Sequence, residues 1–265
     1  RLTGSDQYSL RFVVLQNRSG LVTFVTAGVP SIKTSILVIK ELINAGSDVV
    51  EIGMPFSDPL AEGPVIQKSS FAALQNGVNI DHCLSIVKKV RINDRLTPLV
   101  LMGYYNPVYQ YGVAKFLKNC AASEVDGLII VDLPAAEAGS FKDECNNTGI
   151  SFIPLIAPTS TDLNIEKSID KCDGFVYCVS VTGVTGARND VSKRGLELVD
   201  RIKEYTDLPI AVGFGVSTKQ HVNEICETAD AAVVGSALIS VMLESTPEKV
   251  SSDAGAFVRS LVDNN

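Results

Sequence analysis

Short apolar runs rich in β-branched residues recur at regular intervals along the whole chain. Runs of this kind, bounded by turn-forming residues, are typical of buried strands. Eight strands are predicted, at residues 21–27, 49–53, 98–102, 127–131, 151–156, 175–179, 209–212 and 231–234. Segments with helical periodicity separate them, among them residues 34–45, 81–91, 113–122, 163–171, 195–205 and 218–227.

The alternation of strand and helix predicts a parallel sheet, because crossover helices cover strands that are apolar on both faces. Eight strand-helix units within 265 residues fit a (β/α)8 TIM barrel of the α/β class. A doubly wound open sheet is the alternative, but Thr26-Ala-Gly-Val-Pro30 follows the first strand where that fold has Gly-x-Gly-x-x-Gly. No linker or low-complexity segment divides the chain, so residues 1–265 are predicted to form a single barrel domain.

Composition and charge narrow the possible functions. The net charge of −7, the pI near 4.9 and the lack of any lysine or arginine run argue against a nucleic-acid partner. No apolar stretch approaches the roughly 20 residues that cross a bilayer, and the first residues lack the apolar segment of a secretory signal. We therefore expect a cytoplasmic protein, or a protein of the plastid stroma if a transit peptide has been removed.

Cysteine and histidine offer little for metal or nucleophilic chemistry. The six cysteines form no Cys-x-x-Cys pair, and most lie in segments predicted to be buried, as reduced core thiols do. His82 and His221 lie on predicted helices away from the loop motifs, which leaves no catalytic triad and no zinc site. We therefore expect no metal and chemistry that depends on carboxyl groups.

The segment Glu51-Ile-Gly-Met-Pro-Phe-Ser-Asp-Pro-Leu-Ala-Glu62 runs from a buried strand into a loop that carries two further carboxylates. Glu51 interrupts an apolar run, and a carboxyl group in that setting is paired, protonated or reactive. The alternative is a strand-end acid held by backbone amides. A barrel would place Glu51 at the carboxyl end of a strand, where such enzymes carry their chemistry.

Loops after the third, fourth and fifth strands would lie on the same rim. Their polar residues are in Tyr104-Tyr-Asn-Pro107, Asp132-Leu-Pro134 and Pro158-Thr-Ser-Thr-Asp162. Each of these patterns alone is also an ordinary turn or helix-start signal. Their shared position is what suggests a common site.

Glycine-containing loops follow the last three strands, at residues 180–188, 213–217 and 235–237. Glycine lets the backbone approach an anion, and a helix that begins at Gly235-Ser236 would direct free amides and its positive dipole end toward it. The loops after strands seven and eight therefore predict a phosphate site, although glycine also serves tight turns. The long polar loop at residues 181–189 is typical of a lid that closes over substrate.

Several of these motifs together resemble the tryptophan synthase α subunit family over nearly the whole chain. They are Thr23-Phe-Val-Thr-Ala-Gly28, the Glu51 segment, Gly63-Pro64 with Gln67, Gly183-Val-Thr-Gly-Ala187 and Gly213-Phe-Gly-Val-Ser217. The resemblance implies a (β/α)8 barrel that cleaves indole-3-glycerol phosphate to indole and glyceraldehyde 3-phosphate without a cofactor. It also implies a PLP-dependent β subunit or domain as partner, in an α2β2 assembly.

The resemblance assigns roles residue by residue. Glu51 would be the principal acid/base group, and Glu62 would receive the indole N–H. The indole pocket would be walled by Phe24, Met102, Tyr104, Ile130, Leu155, Tyr177 and Phe214, with Thr185 bonding the second carboxylate when the lid closes. Gly186, Gly215, Gly235 and Ser236 would hold the phosphate, and Ser57, Asp58, Pro59, Asn106 and Pro134 would contact the β subunit.

Two positions depart from the family pattern. The family has Asp where this chain has Glu62, so the charge is kept but the side chain is one C–C bond longer, about 1.5 Å. Misplacing a reactive group by about 1 Å can lower a rate roughly 100-fold, so we expect Glu62→Asp to raise turnover. Ala136 stands where the family usually has the first Glu of a Glu-Glu pair after Asp-x-Pro. This difference affects only a peripheral interaction.

Two alternatives to a lyase subunit remain open at this point. The chain could be a free lyase that releases indole without a β partner, or a weakened α-like subunit that binds and activates a β chain, which Glu62 alone suggests. It begins without Met, so we expect it to be trimmed or excised from a longer protein. Residues 101–107 and 211–218 resemble fused versions in which the α part comes first, so we consider an α domain of a bifunctional tryptophan synthase.

Overall fold

The computed structural model describes residues 18–179, 188–213 and 215–262, with the backbone alone for residues 188–194. Within these residues all the strands are parallel and belong to one sheet. The strands are β1 Gly20–Thr26, β2 Val49–Gly53, β3 Leu99–Gly103, β4 Gly127–Ile130, β5 Ser151–Phe152, β6 Leu155–Ile156, β7 Val176–Val179, β8 Ile210–Gly213 and β9 Ala231–Val234.

The sheet closes into a barrel through the segment that contains β5 and β6. The strand order is β5-β4-β3-β2-β1-β9-β8-β7-β6, so β5 and β6 stand at its two ends. Only Ile153 and Pro154 separate these two short strands in the chain, and the pair corresponds to the one strand predicted at residues 151–156. The first half of that segment pairs with β4 and the second half with β7, so eight positions form a ring. The predicted (β/α)8 barrel is confirmed.

Helices alternate with the strands in the described part of the chain. They are α1 Ile32–Asn44, α2 Pro64–Gln75, α3 Ile80–Arg91, α4 Tyr105–Tyr111, α5 Val113–Ala121, α6 Gly139–Thr148, α7 Asp162–Ile169, α8 Arg188–Lys203, α9 Lys219–Cys226, α10 Ser236–Glu244 and α11 Val250–Arg259. Among the described residues no helix has the length and apolar character to cross a membrane.

Polar side chains fix where four of these helices begin. The side-chain oxygens of Ser31, Asn79, Thr161 and Thr218 each accept the backbone N–H three residues further on, at 3.1 to 3.3 Å. A free amide at the first turn is thereby satisfied, which favours a helix start at that residue. The helix predicted at residues 195–205 instead begins at Arg188, because Gly195 lies within the helix and does not mark its boundary.

Alternation along each strand divides the core into two layers. Side chains such as Val49 point into the barrel, where they form a small apolar cluster, whereas Val50 and Ile52 pack outward against the helices. Glu51 therefore lies on the inner side together with Val49, since alternate residues share a face. All six cysteines are free, and Cys83, Cys120, Cys145 and Cys178 are buried.

Aspartates link the strands at the amino end of the barrel. Asp48, Asp126 and Asp230 each directly precede a strand and accept the N–H of a residue at the start of the neighbouring strand, at 2.7 to 2.8 Å. The Arg91 guanidinium is 5% exposed and contacts the Asp126 carboxylate. It also donates to the carbonyl oxygens of Thr97 and Glu124 at 2.8 and 2.9 Å. In such barrels this end contributes to stability, whereas the opposite end carries the chemistry.

Replacing Asp126 with alanine is expected to lower the free energy of unfolding by about 3 kcal/mol, because the buried Arg91 guanidinium would lose its closer carboxylate and keep only the weaker contact with Asp94 at 3.8 Å. Asp143→Ala is the matched control, since Asp143 forms an ion pair with Lys171 in which both side chains are about half exposed. That change is expected to cost less than about 1 kcal/mol. Urea unfolding of the two variants tests the difference, and equal losses would contradict it.

Candidate active site

A cavity of about 800 Å³ opens at the carboxyl ends of the strands. Residues from β1, β2, β3, β6, β7, β8 and β9 line it, together with loops that follow the strands. The lining residues are Phe24, Glu51, Ala61, Glu62, Gly63, Ile66, Met102, Val131, Leu155, Ala157, Thr159, Ser160, Tyr177, Val179, Gly213, Gly215, Val216, Ser217, Val233, Gly235, Ser236 and Ala237. Both predicted catalytic carboxyl groups therefore belong to one cavity.

Glu51 is a fully buried carboxyl group on the inner face of β2. Its strand neighbours in register are Phe24 and Val100, and its exposure is 0%. Neither carboxyl oxygen has a hydrogen-bond partner among the described residues, so the alternative of an acid held by backbone amides does not apply. Burial, and secondarily the charge of Glu62, raises the pKa of Glu51 to about 8. Glu51 therefore keeps its proton at neutral pH.

Glu62 and Tyr177 share the electrostatic environment of Glu51. Burial raises the pKa of the Glu62 carboxyl as well. Burial first, and then the charges of Glu51 and Glu62, raises the pKa of the Tyr177 hydroxyl well above its usual value. The Glu62 charge thus favours the protonated form of both neighbours. Two neighbouring carboxyl groups in such a setting are a common arrangement for acid/base catalysis.

Apolar side chains form the inner wall of the cavity. Phe24, Met102, Leu155 and Tyr177 line it, as the sequence analysis expected. Ile130 does not, because it packs outward between the barrel and the helices. Strand alternation instead directs the next residue, Val131, into the cavity. The prediction for this strand was therefore misplaced by one residue.

Tyr104 lies beside the main cavity and not in it. Its ring stacks on Phe56 with the centroids 4.9 Å apart. It lines a smaller chamber that shares Phe24, Glu62, Ile66 and Met102 with the cavity. Tyr104 therefore contributes to the support of the Glu62 loop.

The sector predicted to bind phosphate combines a glycine turn with a helix start. Gly215 has φ +61°, a conformation that favours glycine, and it lines the cavity. Gly235 is the residue before α10, and Ser236 is the first residue of that helix, so its free amides begin at the cavity wall. Helix starts of this kind commonly bind anions, and the phosphate role of these residues stays a prediction. The predicted roles of Thr185, Gly186 and Phe214 lie outside the described residues.

His221 is closer to this sector than the sequence suggested. Its Nδ1 lies 3.4 Å from both the amide nitrogen and the hydroxyl oxygen of Ser217, a residue that lines the cavity. The prediction that both histidines lie away from the loop motifs is therefore wrong for His221. No cluster of three His, Cys, Asp or Glu side chains that could hold a metal occurs among the described residues.

The chain is similar to known proteins over almost its whole length. A family profile described as "Tryptophan synthase alpha chain" matches residues 12–261. The chain is 44% identical over 246 residues to the tryptophan synthase alpha chain of Geotalea uraniireducens, covering 93% of this chain and 92% of that one. The chain belongs to the tryptophan synthase alpha chain family.

The chain is also similar in sequence or structure to other tryptophan synthases. The tryptophan synthase of Saccharomyces cerevisiae is 41% identical over 249 residues, which are 94% of this chain but 35% of the yeast protein. The chain thus spans about a third of that relative's length. The crystal structure of tryptophan synthase subunit alpha from Legionella pneumophila has a TM-score of 0.89 and 32% identity, with 98% and 97% of the two chains covered.

A structure from Pyrococcus furiosus, titled for mutual activation of the tryptophan synthase α2β2 complex, has a TM-score of 0.85 and 39% identity. It covers 91% of this chain and 97% of that chain. The similarity therefore spans the barrel, although the chain represents only part of the length of the yeast tryptophan synthase.

The residues predicted to contact a tryptophan synthase β subunit lie in the segments that follow β2, β3 and β4. Ser57, Asp58, Asn106 and Pro134 are exposed, and Pro59 is half-buried. Large apolar side chains accompany them, since Leu60 is 89% exposed and Tyr109 is 64% exposed.

Several cavity residues were missed by the sequence reasoning. Val131, Val179 and Val233 each lie two residues beyond another inward-facing residue, so strand alternation could have identified them. Ile66 lies on α2, whose bounds were not predicted from periodicity. Nothing in the sequence indicated that its side chain lines the cavity. Ser217 ends the Gly-Phe-Gly-Val-Ser motif that did signal the phosphate sector.

Proposed function

We propose that this chain cleaves indole-3-glycerol phosphate to indole and glyceraldehyde 3-phosphate by carboxyl acid/base catalysis. The observation that carries the proposal is the buried, unpartnered carboxyl group of Glu51 at the wall of an open cavity. Membership of the tryptophan synthase alpha chain family supports the choice of substrate. No cofactor is required in this proposal, because the two proton transfers need only carboxyl groups.

Cleavage breaks the bond between the indole ring carbon and the adjacent carbon of the glycerol chain. Glu51, protonated at neutral pH, donates its proton to the ring carbon. The glycerol hydroxyl then loses its proton to the resulting carboxylate, and the electrons of the O–H bond form the aldehyde carbonyl. The electrons of the broken C–C bond return to the indole ring. Glu51 is left protonated for the next turnover.

Glu62 stabilises the charge that develops during this step. Protonation of the ring carbon places positive charge on the indole, and an ionised carboxylate at the N–H lowers the energy of that state. Aromatic and aliphatic walls suit the flat ring, while the α10 amides at Ser236 would bind the phosphate. Fixing both ends of the substrate would hold its reactive carbon near Glu51.

Shortening the second carboxylate tests the placement of Glu62. Glu62→Asp is expected to raise turnover, by as much as about 100-fold if the present misplacement is near 1 Å. Glu62→Gln is the charge-removing control and is expected to lower it. Steady-state indole release measures both variants, and a lower rate for Glu62→Asp would refute the misfit argument.

We also propose a tryptophan synthase β subunit as partner, docked on the rim defined by Ser57, Asp58, Pro59, Asn106 and Pro134. The relative from Pyrococcus furiosus is named as an α2β2 complex, and the apolar Leu60 side chain beside the predicted contacts supports an interface. Indole release is assayed with and without a β chain. Stimulation supports the partner, full activity without it indicates a free lyase, and binding without cleavage indicates an activating subunit.

A further inference from the structure

A second chamber, of about 20 Å³, lies beneath the segment that follows β2. This volume has room for about one water molecule. Phe24, Glu62, Ile66 and Met102 line both this chamber and the main cavity. Glu62 therefore borders both spaces, and a group bound in the chamber would lie near it.

Thr26 brings a buried hydroxyl to the chamber without a partner. The residue ends β1 on the same face as Phe24, lines the chamber and is 2% exposed. Its hydroxyl oxygen has no hydrogen-bond partner among the described residues. By contrast, Thr23 on the same strand donates to the Ser47 hydroxyl at 3.1 Å. A buried hydroxyl left unpaired costs about 1–3 kcal/mol. A polar molecule in the chamber that forms a hydrogen bond with the Thr26 hydroxyl would remove this cost.

Tyr104 supplies a second polar group. Its hydroxyl oxygen accepts the Ala61 N–H at 3.2 Å, which leaves its own proton available for donation. Burial, and then the charge of Glu62, raises the pKa of Tyr104 to about 12, so the phenol stays protonated beside that carboxylate. The Ser70 hydroxyl cannot serve in the same way, because it already accepts from and donates to the backbone of Phe56 at 3.0 Å.

We propose that Thr26 and Tyr104 hold one water molecule in this chamber and that this water donates a hydrogen bond to the Glu62 carboxylate. The water would accept a hydrogen bond from the Tyr104 O–H and pair with the Thr26 hydroxyl, giving three hydrogen bonds in all, the usual number for a buried water. Thr26 and Tyr104 are then positioning residues that hold the second carboxylate in place. Their effect on turnover rests on the proposed function, whereas the water site itself does not.

High-resolution crystal structures test the water site directly. Wild type is compared with Thr26→Val, which has nearly the same shape without the hydroxyl, and with Thr26→Ser, which keeps the hydroxyl. We expect solvent density within hydrogen-bond distance of Thr26, Tyr104 and Glu62 in wild type and Thr26→Ser, and its loss in Thr26→Val. Wild-type density without such a peak, or an unchanged peak in Thr26→Val, would overturn the proposal.

Kinetics test the positioning role. Thr26→Val is expected to lower kcat about tenfold with little change in KM, the loss expected for one hydrogen bond to a charged group. The acidic limb of the kcat profile should move to higher pH, because the carboxylate loses a donor. Thr26→Ser should restore both values, and equal melting temperatures would exclude unfolding as the cause.

The outcomes separate this inference from the proposed function. If wild type shows no cleavage, the proposed function fails while the crystal structures still decide the water site. If wild type cleaves and Thr26→Val matches Thr26→Ser in kcat and pH profile, the positioning role is overturned. Tyr104→Phe combined with Thr26→Val should lose less than the product of the two single effects, because both residues bind the same water.

Discussion

Replacing Glu51 with glutamine is expected to reduce the cleavage of indole-3-glycerol phosphate at least about a thousandfold. The amide neither donates a proton to the ring carbon nor accepts one from the glycerol hydroxyl, and general acid/base groups typically contribute 10²- to 10⁴-fold. The substitution keeps the size and shape of the side chain, so the barrel should fold normally. Indole release under saturating substrate measures the effect.

Glu144→Gln is the matched control for this prediction. Glu144 is exposed on α6, away from the cavity, and the same change of charge there should leave turnover unaltered. Substrate binding by the Glu51→Gln protein should persist, since the apolar wall and the phosphate sector are unchanged. A Glu51→Gln enzyme with more than a tenth of wild-type turnover would show that another group moves the proton.

The pH dependence of stability gives the second large effect. The pKa of Glu51 is raised to about 8 in the folded chain, from 4.5 as the ordinary value. The folded state therefore holds a proton that the unfolded state releases, so wild type loses stability as the pH rises from about 4.5 to about 8. The full loss is about 5 kcal/mol, from 1.36 kcal/mol per pKa unit. Glu51→Gln should lack this component.

The measurement is the difference in free energy of unfolding between Glu51→Gln and wild type, from urea titrations at pH 5 and pH 9. Taking the difference cancels the contributions of groups common to both proteins. We expect the variant to gain several kcal/mol relative to wild type between these two pH values. A constant difference across the range would mean that Glu51 ionises with an ordinary pKa in the folded state.

Much of the fold could be predicted because strands buried on both faces give continuous apolar runs. The predicted bounds of β2 and β9 match the structure, and the other strands shift by one or a few residues at their ends. The split of the fifth strand could not be predicted, since Pro154 lacks an N–H but only the neighbouring strands determine where pairing stops. The bounds of helix α6 were not predicted, because its polar residues give weak periodicity.

The sequence indicated which type of chemical group the site uses, but it did not indicate how all of the side chains are arranged. Glu51 could be identified as a candidate reactive group because it interrupts an apolar run. Its burial without a partner explains its raised pKa. The error at Ile130 arose because one residue along a strand reverses the face, so a motif match alone did not decide between it and Val131. The Thr26 chamber could not be foreseen, since it depends on how the segment after β2 folds back over β1.

Glu51 is expected to carry a proton at neutral pH inside the cavity. Infrared difference spectra of wild type against Glu51→Gln, recorded from pH 5 to pH 10, report the carbonyl stretch of that one protonated carboxyl group. The band should persist at pH 7 and disappear with a midpoint near pH 8, because burial raises the pKa of Glu51. A band already absent at pH 6 would show that Glu51 is ionised and would contradict its role as the proton donor.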